Sequence, residues 1–319
     1  MRAVVIPGFG IDPEVVDLPV PEPGPGDVLV RVHAAGMNPF DWKVIDGALK
    51  GVVEHKFPVV MGSDGAGVVE AVGAEVTRFR PGDRVYGQFM KLALGVGSYA
   101  EHTVAPADGK LALIPEGLSF VVAAALPTAS VTAYQAIQEA RLEPGATILV
   151  NGASGGVGQS AVQFAADLGA RVLATSLPDL AHHLRELGAT EVIDFTHGPT
   201  AEQVLATHPD GIDAVLDLVS KPGEAESLVD LLRPGGVAIS TNGALDPEAM
   251  AARELRGVNF FSNATPEALE QIAELAASGR LRVTIDAEVP LEDAPAAVAH
   301  ARAGHARGKT VVVVDGQEA

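Results

Sequence analysis

Between Ala146 and Ser176 the chain holds an apolar run, a glycine cluster, a helical pattern and a second apolar run, the order in which a strand–turn–helix–strand unit grips a pyrophosphate. Ile148, Leu149 and Val150 predict a strand, and Gly152, Gly155, Gly156 and Gly158 predict a turn where backbone N–H groups approach an anion without Cβ interference. Ser154 adds a hydroxyl donor to that turn. Val157 belongs to the same cofactor-binding stretch, at the start of a helix marked by the spacing of Ala161, Val162, Phe164, Ala165 and Leu168. The spacing departs from G-x-G-x-x-G, because Ala153 and Ser154 separate Gly152 from the Gly155–Gly156 pair. Arg171 to Thr175 reads as the next parallel strand. An acidic residue after it would hold a ribose 2′-hydroxyl and repel a 2′-phosphate. This chain has Thr175 and Ser176 there, two neutral hydroxyl donors, with His182, His183 and Arg185 following as cationic support. That favours NADPH over NADH, although Asp179 pulls the other way; a competing role for Ser176 is the N-cap of a proline-led helix.

The elements that must position these residues fall into two patterns. The first 120 or so residues carry short runs such as MRAVVI and DVLVRVHAA between PVPEPGPG, GSDGAG and RPGDRVYG, which suits an antiparallel barrel with tight turns. From Ala123 strands alternate with helices: Glu191 to Phe195, Gly211 to Val219, Gly235 to Ser240 and Val258 to Ser262 follow the glycine turn, each separated by room for a helical crossover. A doubly wound parallel sheet is predicted there. Pro266 to Ser278 predicts an amphipathic helix, and the closing run Val311 to Val314 is expected to rejoin the barrel. The predicted domains are residues 1–122 with 266–319, and 123–265, with the active site in the cleft between them.

Composition narrows the function classes. The chain of 319 residues is 47% hydrophobic and 20% charged, the balance of a globular protein with room for two cores. No apolar run approaches the roughly 18 residues of a membrane span, and MRAVVIPGFG lacks a signal-peptide layout, so a cytoplasmic location is expected. There is no cysteine, which removes thiolate nucleophiles, disulfides and the usual structural zinc sites. The formal net charge of −19 repels nucleic acid and anionic membranes, so neither is an expected partner. An anionic cofactor must then be held by local backbone donors.

Five blocks stand in a recognisable order: GMNPFDWKVIDG at Gly36 to Gly47, GSDGAGVVEAVGAEVTRFRPGDRVYG at Gly62 to Gly87, LPTASVTAYQAI at Leu126 to Ile137, GASGGVG, and ARGKTVVVV near the end. Together they resemble the medium-chain dehydrogenase/reductase superfamily, in its zinc-free quinone oxidoreductase branch, over essentially the whole chain. The resemblance implies a GroES-like β-barrel catalytic domain plus a Rossmann domain of α/β class, NADPH as cofactor, and a homodimer or homotetramer. It places Asn38, Thr128 and Thr132 beside the nicotinamide, with Asn38, Lys43 and Thr132 as the catalytic choices and Lys43 either polarising a substrate oxygen or simply solvated. Asp41 would orient its loop, Asn242 and Gly243 would meet the nicotinamide amide, and Phe261 would close the same side. Gly308 and Lys309 fall in a turn that approaches the cofactor phosphates in relatives, or serve as an ordinary turn. Gly62, Gly65, Gly67, Gly73 and Gly82 are expected to permit barrel turns. At the positions that hold zinc in metal-dependent members stand Asn38, Ser63 with Asp64, and Thr128, so no metal is expected. His33, His55 and His102, the nearest imidazoles, are expected to be solvated or singly hydrogen-bonded.

Without a Lewis acid, oxidation of an alcohol loses its means of stabilising an alkoxide, whereas quinones and α,β-unsaturated carbonyls accept hydride directly. The leading expectation is therefore an NADPH-dependent quinone reductase. The alternatives are a reductase of conjugated enals, a non-catalytic NADPH-binding protein and, on ligand count the weakest, a metal-dependent alcohol dehydrogenase. Asp46 to Val60 and Gln88 to Tyr99 are expected to line the acceptor pocket.

Overall fold

The computed structural model describes residues 1–304 and 307–315. The chain forms two compact units, Met1–Val131 with Ala264–Ala319 and Thr132–Asn263.

The first unit opens with β1 (Arg2–Ile6), β2 (Glu14–Asp17) and β3 (Asp27–Gly36), then helix α1 (Pro39–Ile45). β4 (Val59–Val60), β5 (Asp64–Val72), β6 (Arg84–Gln88), β7 (His102–Pro106) and β8 (Leu111–Leu113) follow, then α2 (Phe120–Ala125) and the first residues of α3 (Pro127–Ala140). The second unit contains β9 (Thr147–Asn151), α4 (Gly156–Asp167), β10 (Arg171–Ser176), α5 (Ala181–Glu186), β11 (Glu191–Asp194), α6 (Thr200–Thr207) and β12 (Ile212–Asp217). It closes with α7 (Glu226–Val229), β13 (Leu232–Ser240), α8 (Pro247–Ala251) and β14 (Arg256–Asn259). The chain then returns to the first unit with α9 (Pro266–Ala277), β15 (Ile285–Pro290), α10 (Ala294–Arg302) and β16 (Lys309–Val313).

In the first unit β15-β16-β3-β5-β6-β8 form one sheet in which β7 also pairs with β3, and β2-β1-β4 form a second. All of these pairs are antiparallel except β15 with β16. The Val311 to Val314 run does return to the barrel, with Val311 opposite Gly36 and Val313 opposite Ala34. α2 belongs to this unit although the helix–strand alternation begins at Ala123: a Cβ on Gly36 would stand 2.1 Å from the Ala124 carbonyl oxygen, so β3 and α2 are pressed backbone to backbone. Gly65 and Gly67, expected in turns, lie inside β5, where a Cβ would meet Ser98 Cβ at 2.9 Å and the Arg31 carbonyl oxygen at 2.1 Å. Their missing side chains permit strand packing.

The second unit is a six-stranded parallel sheet of order β11-β10-β9-β12-β13-β14. Ile148, Leu149, Val150, Val172, Leu173, Val215 and Leu216 are buried, as a sheet covered by helices on both faces requires. Its last strand ends at Asn259 rather than running to Ser262, because register with β13 stops at Ser240 opposite Asn259; Phe261 beyond it is 84% exposed. No helix of the described residues is long and apolar enough to cross a membrane.

Candidate functional site

In the second unit the chain reverses direction across the sheet at β9, which has β10 on one side and β12 on the other. Such a switch point opens a crevice at the C-terminal strand ends. Here those ends are braced by side chains. Gly152, at φ 92° where a Cβ would meet Val219 Cγ2 at 2.6 Å, donates its N–H to Thr175 Oγ1 at 2.8 Å. Thr175 donates to Asn151 Oδ1 at 3.1 Å, and Asn151 Nδ2 donates to Asp217 Oδ1 at 2.8 Å. α4 starts directly after this brace with Gly155 as its N-cap. A Cβ on Gly155 would meet nothing closer than 3.9 Å, whereas one on Gly158 would stand 2.3 Å from the Gly152 carbonyl oxygen. Gly158 therefore lets helix and strand touch, and Gly155 keeps the helix mouth open. Gly156 and Val157 begin the first turn, whose N–H groups have no intrahelical acceptor; the Ser154 carbonyl is tied down by Gln159 Nε2 at 2.8 Å.

Thr175 and Ser176 are placed differently from the sequence expectation. Thr175 is 3% exposed with its only proton given to Asn151, and Ser176 is fully buried and donates to the Leu177 carbonyl at 3.1 Å. Both hydroxyls brace the strand end. The N-cap of the following 3-10 turn Pro178–Leu180 is Leu177, not Ser176. On α5, His182 and Arg185 are exposed, and His183 Nε2 lies 3.2 Å from Gln159 Oε1.

Asp217 is a candidate site residue that the sequence reading passed over. It is 1% exposed, its Oδ1 accepts from Asn151, Val219 and Ser220, and its Oδ2 has no hydrogen-bond partner among the described residues. A buried acceptor left over at a strand end costs stability unless a ligand donates to it. Close by in the chain fold, Asn242 donates through Nδ2 to the Leu218 carbonyl at 3.0 Å, ahead of Gly243 at φ 71°. Thr132 donates to Ser262 Oγ at 2.9 Å and is 7% exposed.

The first unit contains a buried polar cluster. Asn38 caps α1, and its N–H donates to Asp41 Oδ2 at 2.8 Å, the same oxygen that accepts from Tyr99 at 2.8 Å; Ser63 N–H donates to Asp41 Oδ1 at 3.1 Å. Burial nevertheless pushes the Asp41 carboxyl up to about 6. Gly62, at φ 88°, makes room for Tyr99: a Cβ there would stand 2.2 Å from the ring. Thr128 donates to Asp64 from its backbone at 2.8 Å and its hydroxyl at 2.6 Å, and accepts from Gln88 Nε2 at 2.8 Å. Burial raises the Asp64 carboxyl above its ordinary range, opposed mainly by Lys309. Lys309 Nζ donates to the Met37 carbonyl and to Asn38 Oδ1 at 2.7 Å, and Asn38 Nδ2 donates to the Gly36 carbonyl at 3.3 Å. So Asn38 and Thr128 are brought together through Asp64 and Lys309, while Lys43 is exposed on α1. Lys309, expected near cofactor phosphates or in a plain turn, is instead buried in this cluster.

The three barrel imidazoles are dispersed: His33 stacks on Phe120 at 4.3 Å, His55 Nδ1 lies 2.8 Å from the Val53 carbonyl, and His102 Nε2 lies 3.0 Å from Glu70. A cavity of about 300 Å³ opens between Lys56–Val60 and Leu94–Gly97, within the two segments expected to line an acceptor pocket, with Leu18 and Thr103 on its other walls.

Comparison with known proteins gives a consistent result. Residues 24–116 match the family described as "Alcohol dehydrogenase GroES-like domain", and residues 187–312 match "Zinc-binding dehydrogenase". The chain is 34% identical to the 2-methylene-furan-3-one reductase of Solanum lycopersicum over 92% of this chain and 73% of that protein. It is also 34% identical to the chloroplastic quinone-oxidoreductase QR1 of Triphysaria versicolor, over 98% of each. The solved quinone oxidoreductase of Coxiella burnetii superposes with a TM-score of 0.87 at 29% identity, covering 98% of this chain and 99% of that one. The second family description raises zinc, and the cluster does not suit it. Of Asn38, Ser63, Asp64 and Thr128 only Asp64 is a good zinc donor, and an ammonium already bonds the Asn38 oxygen.

Proposed function

This chain belongs to the medium-chain dehydrogenase/reductase superfamily, in its quinone oxidoreductase branch, and on that premise we propose that it transfers hydride from NADPH to a quinone. The observation that carries the reading is the open mouth of α4. At a sheet switch point, the helix begins at Gly155 with free space where a Cβ would be. Gly152, Ser154, Gly155, Gly156 and Val157 are proposed to hold the pyrophosphate. Thr132, Asn242 and Gly243 take the nicotinamide end, and Asp217 Oδ2 is an acceptor for a ligand hydroxyl. The NADPH preference rests on the neutral end of β10, where Thr175 and Ser176 replace an acidic residue; cationic support comes from α5 rather than from those buried hydroxyls.

When bound, the reduced nicotinamide supplies a hydride to an electron-poor carbon. The chain's own part is to place and hold. Thr175 and Asn151 brace the glycine turn from within the chain, which lowers the ordering cost of binding there. In the first unit, Asn38 and Thr128 have orientations set by Lys309, Asp64 and Gln88, and exposed Lys43 is proposed to polarise the acceptor oxygen. A quinone spreads the arriving charge over its conjugated oxygens, so reduction proceeds by positioning and hydrogen bonding without a Lewis acid.

Reduction of a conjugated enone is the second reading, favoured by the 34% identical relative named for a methylene-furanone substrate. Loss of NADPH absorbance with 1,4-naphthoquinone and with an enal, run side by side with NADH as cofactor control, separates the two. Turnover of neither acceptor would refute the proposed activity, and equal use of NADH would refute the cofactor preference.

A further inference from the structure

The pairing of β16 with β3 carries Lys309 to the turn that leads into α1, with Val311 opposite Gly36 and the Met37 N–H bonded to the Thr310 carbonyl at 2.9 Å. The side chain that arrives there is only 5% exposed. Its Nζ donates to the Met37 carbonyl and to Asn38 Oδ1. Burial lowers the ammonium's pKa from its ordinary value, and two buried carboxylates, Asp64 ahead of Asp41, oppose this by attraction without a direct ion pair among the described residues. Asp64 reaches on to Thr128, and Thr128 to Gln88. The amide of Asn38 cannot turn over without presenting its NH2 group to the ammonium, so Lys309 dictates which end of that amide faces which neighbour.

We infer that the buried Lys309 ammonium is the lock on the Asn38 amide, held by its bonds to Asn38 Oδ1 and the Met37 carbonyl, with the Asp64 carboxylate coupled to its charge. Lys309 is a positioning residue, acting through Asn38 and through the Asp64–Thr128 pair. Its effect on turnover rests on the proposed reductase activity, whereas its charge coupling to Asp64 can be tested without it.

The test is a set of full-length variants: K309M, D64N and the double variant K309M/D64N. Removing the ammonium takes its bonds from Asn38 and Met37 and leaves the buried Asp64 carboxylate without its attracting charge, so K309M is expected to melt on the order of 10 °C below wild type. The double variant, with neither charge, is expected to melt higher than K309M. It should also bind NADPH within about threefold of wild type by fluorescence titration, yet lose tenfold or more in kcat with the quinone, because a loosened site misplaces the acceptor. Should K309M fail to accumulate as folded protein, K309Q, which keeps donors for Met37 and Asn38 without the charge, takes its place. A double variant that melts no higher than the lysine single variant overturns the charge coupling of Lys309 to Asp64. Wild-type kcat in the double variant overturns the positioning role. One zinc per chain by elemental analysis, with turnover lost on chelation, would show that a metal is the site's cation. If wild type reduces no acceptor, the reductase reading falls, and the melting temperatures alone still decide the charge coupling.

Discussion

Asp41 is 1% exposed, and three donors reach its two oxygens, yet burial outweighs them and its carboxyl titrates at about 6. The folded chain therefore holds this proton more tightly than the unfolded chain, where an aspartate ionises near 4. Its stabilising contribution is full below about pH 4 and is lost as pH rises through about 6; the shift corresponds to as much as ~3 kcal/mol. Asp41→Asn cannot titrate. Its unfolding free energy relative to wild type, from urea melts, should rise by up to ~3 kcal/mol between pH 4 and pH 7. A difference that stays flat across that window would show that the folded chain ionises Asp41 no differently from the unfolded chain. Part of this cluster was legible in the sequence because it is local: Asn38 and Asp41 are three residues apart at a helix start. Lys309 was not, since 271 residues separate it from Asn38 and only strand register joins them. Asp217 looks like any strand-end aspartate until its unmatched oxygen is seen.

At the scale of elements, the strand–turn–helix of β9 and α4 separates two demands that glycine meets in different ways. Gly158→Ala would push a Cβ against backbone atoms of Gly152 and Ala153 at 2.3 and 2.6 Å, so helix and strand must move apart. Loss of stability of about 2 kcal/mol or more and a weakened NADPH affinity are expected together. Gly155→Ala meets no such obstacle: its φ is −80° and its nearest neighbour would be 3.9 Å away. That variant should melt within a few degrees of wild type while NADPH Kd rises about tenfold or more, because the Cβ fills the space left for the ligand. Nucleotide titration and thermal melts of both variants check the contrast; equal effects on binding and stability at Gly155 would place the pyrophosphate elsewhere. The alternation of apolar strands and helical spacing made β9 to β13 readable, since a parallel sheet buried on both faces writes itself as unbroken apolar runs. The barrel was harder. Gly65 and Gly67 read as turn residues because the atoms they make room for, on Arg31 of β3 and on Phe89 and Ser98 outside the strands, come from segments far along the chain.

The whole molecule carries a formal charge of −19, and NADPH is itself strongly anionic. A backbone cradle at a helix N-terminus supplies short-range donors that salt hardly weakens, while the field of the surface repels the approaching cofactor over distances that salt does screen. The two contributions predict opposite salt dependences. If binding rests on the glycine turn, raising ionic strength from about 10 mM to about 150 mM, where the screening length falls from roughly 30 Å to 8 Å, should lower the KM for NADPH severalfold. The KM for a neutral quinone should stay unchanged, and NADH, with fewer charges, should respond less than NADPH. If instead the cationic side chains of α5 dominate the grip on the 2′-phosphate, screening removes an attraction and the KM for NADPH rises with salt. Steady-state rates across a salt series, with both coenzymes, distinguish backbone capture from side-chain capture, and a rising KM for NADPH beside a flat one for NADH would assign the phosphate to His182, His183 and Arg185.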